Sequence, residues 1–328
     1  MILASSTVEA IDSAIEADGG AKFRVLQRKA FSELTDAFSD KEEAFRTHLG
    51  ASKIGHPCAR DIWYGWHWVK KPSFSGRLLR LFNTGHLYEA RFIAMLRLIG
   101  AQVWTAEASG RQFRFTAANG HFGGSLDAVV QGIPDRPDIP MLAEFKTHNN
   151  KSFVNLVEEG VAKAKWEHYV QMSVYANAHG LSHCLYLAAN KDTDALYGEI
   201  VVTDPSVAEK YAQRAQMIID SPEPPSRINE SPGWYQCRYC DHKTICHDFA
   251  MPEVNCRTCS HATPVENGLW KCERHDEYLT KDCTACPEYV VNLTLLNGIE
   301  VLDASQKENW VVYKKKDGEI VDTRHAAP

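Results

Sequence analysis

Apolar positions recurring at three and four residues mark amphipathic helices over 24–47 and, more strongly, over 75–99, where SGRLLRLFNTGHLYEARFIAMLRLI runs into the stop signal Gly100. Beyond that glycine the period shortens. Runs at 102–105, 112–116, 124–130 and 141–147 suit strands, the last two separated by the proline-rich loop PDRPDIP. Helical spacing returns at about 151–160, 166–179 and 205–220, with strand-like runs near 183–189 and 196–202 between them. A helix, a meander-like set of strands and then alternation predict a mixed α/β core. SPEPPS at 221–226 reads as a stiff connector into a cysteine-rich part, and WVVYKKKDGEIVD as a hairpin turning at Asp317-Gly318. The chain thus divides into an N-terminal helical segment (1–50), a core (51–250) and a cysteine-rich module with a C-terminal hairpin (251–328).

With 328 residues, 44% of them hydrophobic and 24% charged, the chain can bury an ordinary core, which excludes disorder and coiled coil for most of it. No run of 18 apolar residues occurs, and the N-terminus lacks the basic flank and apolar stretch of a signal peptide, so a soluble, cytoplasmic protein is expected. The formal net charge of -6 argues against bulk coating of nucleic acid. Residues 51–120 differ: ten Lys and Arg face only Asp61, Glu89 and Glu107, a net +7. Such a segment is either a phosphate-binding face or solvated helix surface.

The chemistry concentrates in MLAEFKT, where Glu144 and Lys146 are two apart and so project from one face of an otherwise apolar strand. A charged pair in a buried strand needs a reason. Asp127 lies on the preceding strand, after Gly123-Gly124, and a hairpin would set it beside Glu144. Two adjacent carboxylates form an oxygen site suited to magnesium or manganese, with Lys146 placed to orient an attacking water at a phosphodiester. A plain cross-strand salt bridge is the structural alternative. Gln171 and Tyr175, four apart on a helix, could reach the same place, and His86 and Glu89 share a face of the long helix.

Taken in order, G-x3-E, GG-x2-D, E-x-K and Q-x3-Y resemble the RecB-like branch of the PD-(D/E)XK nuclease superfamily. That resemblance implies a restriction-endonuclease-like core in which Glu89, Asp127 and Glu144 hold the catalytic metal, Lys146 is the catalytic lysine and Gln171 and Tyr175 form the supporting motif. The proline of the superfamily's name is absent before Asp127.

Eight of the ten cysteines fall between 237 and 286, which points to metal rather than disulfides. Cys237-x2-Cys240-x5-Cys246 gives three thiolates, with His242 and His247 interspersed, and Cys58 could add a fourth from far upstream. This pattern resembles the 4Fe-4S staple of AddB-type helicase-nucleases and CRISPR-associated RecB-like nucleases; zinc at the same positions is the alternative. Cys256, Cys259, Cys272 and Cys286, with Cys283 or His275 as substitutes, suit a small structural zinc module, and Cys184 reads as a buried core residue.

The resemblance implies a metal-dependent DNA exonuclease of recombination or repair, with DNA that is single-stranded or has free ends as substrate and a recombination or helicase partner. Its stand-alone size suits a phage or prophage setting. Trp63, Tyr64, Trp66, Trp68 and Phe74 would then line a path for single-stranded DNA, or else simply pack. A non-cleaving partner within a larger complex, of the spacer-handling type, is the rival reading. A redox protein is the third, and no nucleotide or flavin fingerprint accompanies it.

Overall fold

The computed structural model describes residues 1–34, 45–279 and 286–324. Two helices, α1 (Ser5–Glu16) and α2 (Ala21–Glu33), lead to a short strand β1 (Leu49–Gly50), then α3 (Ala51–Ile54), α4 (Ala59–Trp66) and the long α5 (Gly76–Leu98). Strands β2 (Gln102–Trp104), β3 (Arg114–Ala117), β4 (Phe122–Ser125), β5 (Ala128–Gln131) and β6 (Met141–His148) follow. After them come α6 (Asn150–Glu159), α7 (Val161–Ala164), α8 (Trp166–Ala178), β7 (His183–Asn190), β8 (Leu196–Val202) and α9 (Pro205–Ile219).

The main sheet has the order β2-β5-β6-β7-β8, parallel between β6 and β7 and antiparallel elsewhere. Alternation along β6 divides two cores. Met141, Ala143 and Phe145 pack with Phe92, Ile93 and Leu96 of α5 and Ile11 of α1, whereas Leu142 packs with Tyr186 of β7, Val170 and Val174 of α8 and Trp63 of α4. The 1–50 segment therefore shares the core of the sheet rather than forming one of its own.

Three expectations need correction. The helix expected over 24–47 stops at Glu33, and residues 35–44 lie outside the described ones. Phe45 lies outside any helix and stacks on Trp68, ring centroids 5.1 Å apart. The single strand expected over 124–130 is two: β4 pairs with β1 and β3 in a small separate sheet, and the chain crosses at buried Leu126 into β5 of the main sheet. Finally, Trp63, Tyr64, Trp66 and Trp68 are buried at 0–4% exposure, so they pack and cannot line a DNA path.

Among the described residues beyond α9 lie two short α-helices, α10 (Tyr235–Arg238) and α11 (Lys243–His247), and two three-stranded sheets. The first contains β9 (Ala262–Pro264), β10 (Trp270–Cys272) and β11 (Glu277–Tyr278); the second, β12 (Glu300–Ser305), β13 (Trp310–Lys314) and β14 (Ile320–Asp322). The β13–β14 hairpin turns at Asp317-Gly318, where Gly318 takes φ +92°. Among the described residues no helix is long and apolar enough to cross a membrane.

Candidate active site and cysteine clusters

Asp127 sits in the crossing between β4 and β5, and the pairing of Ala128 with Ala143 sets it beside Glu144. Its Oδ2 accepts the Phe145 N–H at 2.8 Å, fixing the carboxylate against β6. Glu144 is fully buried, and its Oε1 is paired with the Lys146 ammonium, while Oε2 has no hydrogen-bond partner. Burial above all, and then Asp127, push the Glu144 carboxyl above its usual value, although Lys146 pulls the other way. Burial would lower the Lys146 ammonium, but Glu144 and Asp127 hold its pKa above the ordinary lysine value.

Helix α8 closes the site from one side. Residues 168, 171 and 175 share one of its faces, so His168, Gln171 and Tyr175 lie along β6 in turn. Gly124 explains the tyrosine's position: a Cβ there would collide with the Tyr175 hydroxyl. Burial, then Glu144 and Asp127, push the Tyr175 phenol well above its usual value, which keeps its proton on. At the far end His148 Nε2 and His168 Nδ1 both approach the Tyr186 hydroxyl, at 2.9 and 2.8 Å. Burial, helped by Lys146 and Lys165, lowers His148 to about 4 and His168 to about 3, so both are neutral at pH 7 and do not repel Lys146.

Asp127, Gln171 and Tyr175 line an open cleft of about 500 Å³ together with Glu89 and His86 from α5. The structure thus brings Glu89 to the same cleft as Asp127, Gln171 and Tyr175, whereas Glu144 and Lys146 do not line it. Arg46 and His48 also line it, and sequence reasoning missed them. They precede β1 and reach the cleft only because β1 pairs with β4, a contact no local pattern announces. His168 was legible in principle as H-x2-Q-x3-Y, one more member of the same helical stripe.

The second candidate centre lies where α4 meets α10 and α11. Cys58, at the N-cap of α4, lines one cavity with Cys237, Cys240 and Cys246. Asp61, which was not expected there, and His242 join them: Asp61 Oδ1 accepts from Cys240 Sγ at 3.0 Å and from His242 Nδ1 at 2.8 Å. Asp61, Cys240 and His242 each present a ligand atom within 4.8 Å of the others, a candidate metal site. Burial would raise Asp61, but His242 and Cys240 beside it hold its carboxyl at about 2. A signal existed in C-x2-D, which puts Cys58 and Asp61 at one helix start.

The third group surrounds β9–β11. Cys256, Cys259, Cys272 and Cys286 line one cavity with His261 and His275. Cys259, Cys272 and Cys286 are in no disulfide. His275 Nε2 lies 3.4 Å from Cys286 Sγ. Cys283 lies outside the described residues. Cys184 is fully buried between the sheet and α8, as expected of a core residue.

No family model and no curated protein matches the chain. Among solved structures it is similar to SSO0001, at 15% identity and TM-score 0.38, over 66% of this chain and 93% of that one. It is also similar to the alkaline exonuclease LHK-Exo from Laribacter hongkongensis, at 15% identity and TM-score 0.38, over 53% of this chain and 86% of that one. The complex of LHK-Exo with dAMP matches over the same shares at 14% identity and TM-score 0.38.

Proposed function

We propose that the chain is a divalent-metal-dependent deoxyribonuclease that hydrolyses phosphodiester bonds from DNA ends. One observation carries the reading: a fully buried Glu144 keeps one oxygen unpartnered beside the Asp127 carboxylate. An orphaned buried carboxylate oxygen is costly unless a cation takes it up, and an all-oxygen donor set suits magnesium or manganese. Asp127, Glu144 and, across the cleft, Glu89 would hold the ion. Bound there, it would supply Lewis acidity toward the phosphate and a lowered pKa for the attacking water.

The chain's own residues do the rest. Lys146, held charged by Glu144 and Asp127, orients the water and offsets charge gathering on the phosphate. Gln171 and Tyr175 line the cleft beside Asp127 and would orient the substrate strand there. In this reading Cys58, Cys237, Cys240 and Cys246 hold a 4Fe-4S cluster that ties α4 to the end of the core. Asp61 and His242 beside them favour one alternative, zinc on mixed donors, and iron analysis separates the two. Cys259, Cys272 and Cys286, with His275 nearest, would hold a structural zinc.

The test is digestion of DNA labelled at one end, single- and double-stranded, with manganese or magnesium. Release of nucleotides from free ends, stopped by blocking those ends, is expected. Absence of any cleavage of any of these substrates with either metal would overturn the reading.

A further inference from the structure

Helix α5 is longer than the core needs. Its first fully buried residue is Ala90, and before it Tyr88 already packs against the core and bonds to Asp194, so the loosely packed arm runs from Gly76 to His86, about 16 Å at 1.5 Å per residue. Ser75 caps it, its Oγ accepting the Leu78 N–H at 3.4 Å, so this arm is a properly started helix and not a frayed end.

The arm exposes what soluble helices normally hide. Leu79, Leu81 and Phe82 are 48%, 36% and 37% exposed. Phe74, just before the helix, stands edge-on to Phe82, with ring centroids 5.0 Å apart. Phe82, His86 and Glu89 recur at four and three residues, so the aromatic ring lies on the face that runs down to the cleft, about 10 Å above Glu89. The charge of the arm is one-sided. Arg77 and Arg80 are exposed on its flank, and no acidic residue occurs between Trp68 and Tyr88.

We infer that this arm is a guide for one strand of DNA, with Phe82 stacking on an unpaired base and Arg77 and Arg80 drawing in the adjoining phosphates. The inference rests on the proposed nuclease reading. An exposed aromatic paired with unopposed cations matches the chemistry of a single strand, which offers both a base face and phosphates. A duplex offers only the phosphates, because its bases are stacked. Continuity of the Phe82 face with the candidate metal cleft says where the strand goes.

The test is binding of a fluorescent single-stranded oligonucleotide in calcium, across a salt series, to the full chain. Phe82→Ala should weaken binding about tenfold. Arg77→Ala with Arg80→Ala should flatten the dependence of log affinity on log salt by about 1.4, two phosphate contacts at roughly 0.7 each. Affinity for a blunt duplex should fall less with Phe82→Ala than affinity for the single strand. Equal single-strand binding by wild type and all variants, with helix content unchanged by circular dichroism, would overturn the guide and leave the nuclease reading standing. Binding of duplex and single strand weakened alike would also overturn it. Apolar association of two chains through the arm, seen as a concentration-dependent dimer that DNA does not dissociate, would overturn it too. Cleavage failing in the wild-type protein while the arm variants still bind more weakly would instead sink the nuclease reading alone.

Discussion

At Gly124 a single hydrogen atom decides where Tyr175 can stand. A methyl group there would collide with the phenolic oxygen, so Gly124→Ala should displace the buried tyrosine, slow catalysis and cost about 1–3 kcal/mol of stability. Removing the oxygen should give part of the rate back, making Gly124→Ala with Tyr175→Phe faster than Gly124→Ala alone. Steady-state rates of the three proteins check this, and strictly additive losses would speak against contact at this point. The same scale shows what the sequence could disclose. Glu144 with Lys146, and Gln171 with Tyr175, are legible because one period of strand or helix puts each pair on one face. Arg46 and His48 are not, because they meet the cleft only across the tertiary pairing of β1 with β4.

Helix α1 shows the same limit for whole elements. Its N-cap is Ala4, whose side chain cannot cap, and the missing acceptor comes from the PDRPDIP loop: Asp135 Oδ2 accepts from Thr7 N at 2.7 Å and from Thr7 Oγ1 at 2.6 Å. A helix start capped by a residue 128 positions away carries no local signature. Asp135→Ala should therefore cost about 1 kcal/mol of stability, the usual worth of a cap, read as a lower denaturation midpoint. The acid's pKa is held below its usual value, because the Thr7 bonds outweigh the effect of burial. That contribution is then present above the unfolded pKa and is lost as pH falls through the folded one. By contrast α6, α8, α9, β7 and β8 fall close to their expected bounds, since each carries its own period and, at α6 and α9, its own cap in Asn149 or Asp204. The split of the 124–130 run was not legible, because alternation continues across the crossing while the pairing partner changes.

Across the whole molecule the buried aromatic block of α4 joins the core to the cysteine-rich part. His67 stacks on Trp63 with ring centroids 3.5 Å apart, meets Trp270 of β10 at 5.2 Å, and bonds through Nδ1 to Trp63 O at 3.0 Å. Burial lowers its pKa to about 3, with Arg257 adding to the effect. The folded protein thus binds this proton less well than the unfolded chain, and stability is complete above about pH 6.5 and falls as pH drops. Between pH 6.5 and 5 the slope from this one group should approach about 1.4 kcal/mol per pH unit. Denaturant titrations at several pH values should show a shallower slope in His67→Gln, and identical slopes would refute the assignment. The proposed cluster would bear on the same junction. Cys58→Ser should lose iron and lower stability, since a staple between α4 and α10–α11 would go. Iron retained in full by that variant would remove Cys58 from the cluster.

In the proposed site the Asp127 and Glu144 carboxylates hold the ion on which cleavage depends. Asp127→Asn with Glu144→Gln keeps an oxygen at 127 able to accept the Phe145 N–H and removes both charges. Its rate of manganese-dependent DNA digestion is the most direct measurement. The account predicts a fall of at least about a thousandfold, several kcal/mol of lost charge stabilisation, with DNA binding in calcium and iron content unchanged. Digestion by that double variant at the wild-type rate, in protein shown free of contaminating nuclease, would contradict it.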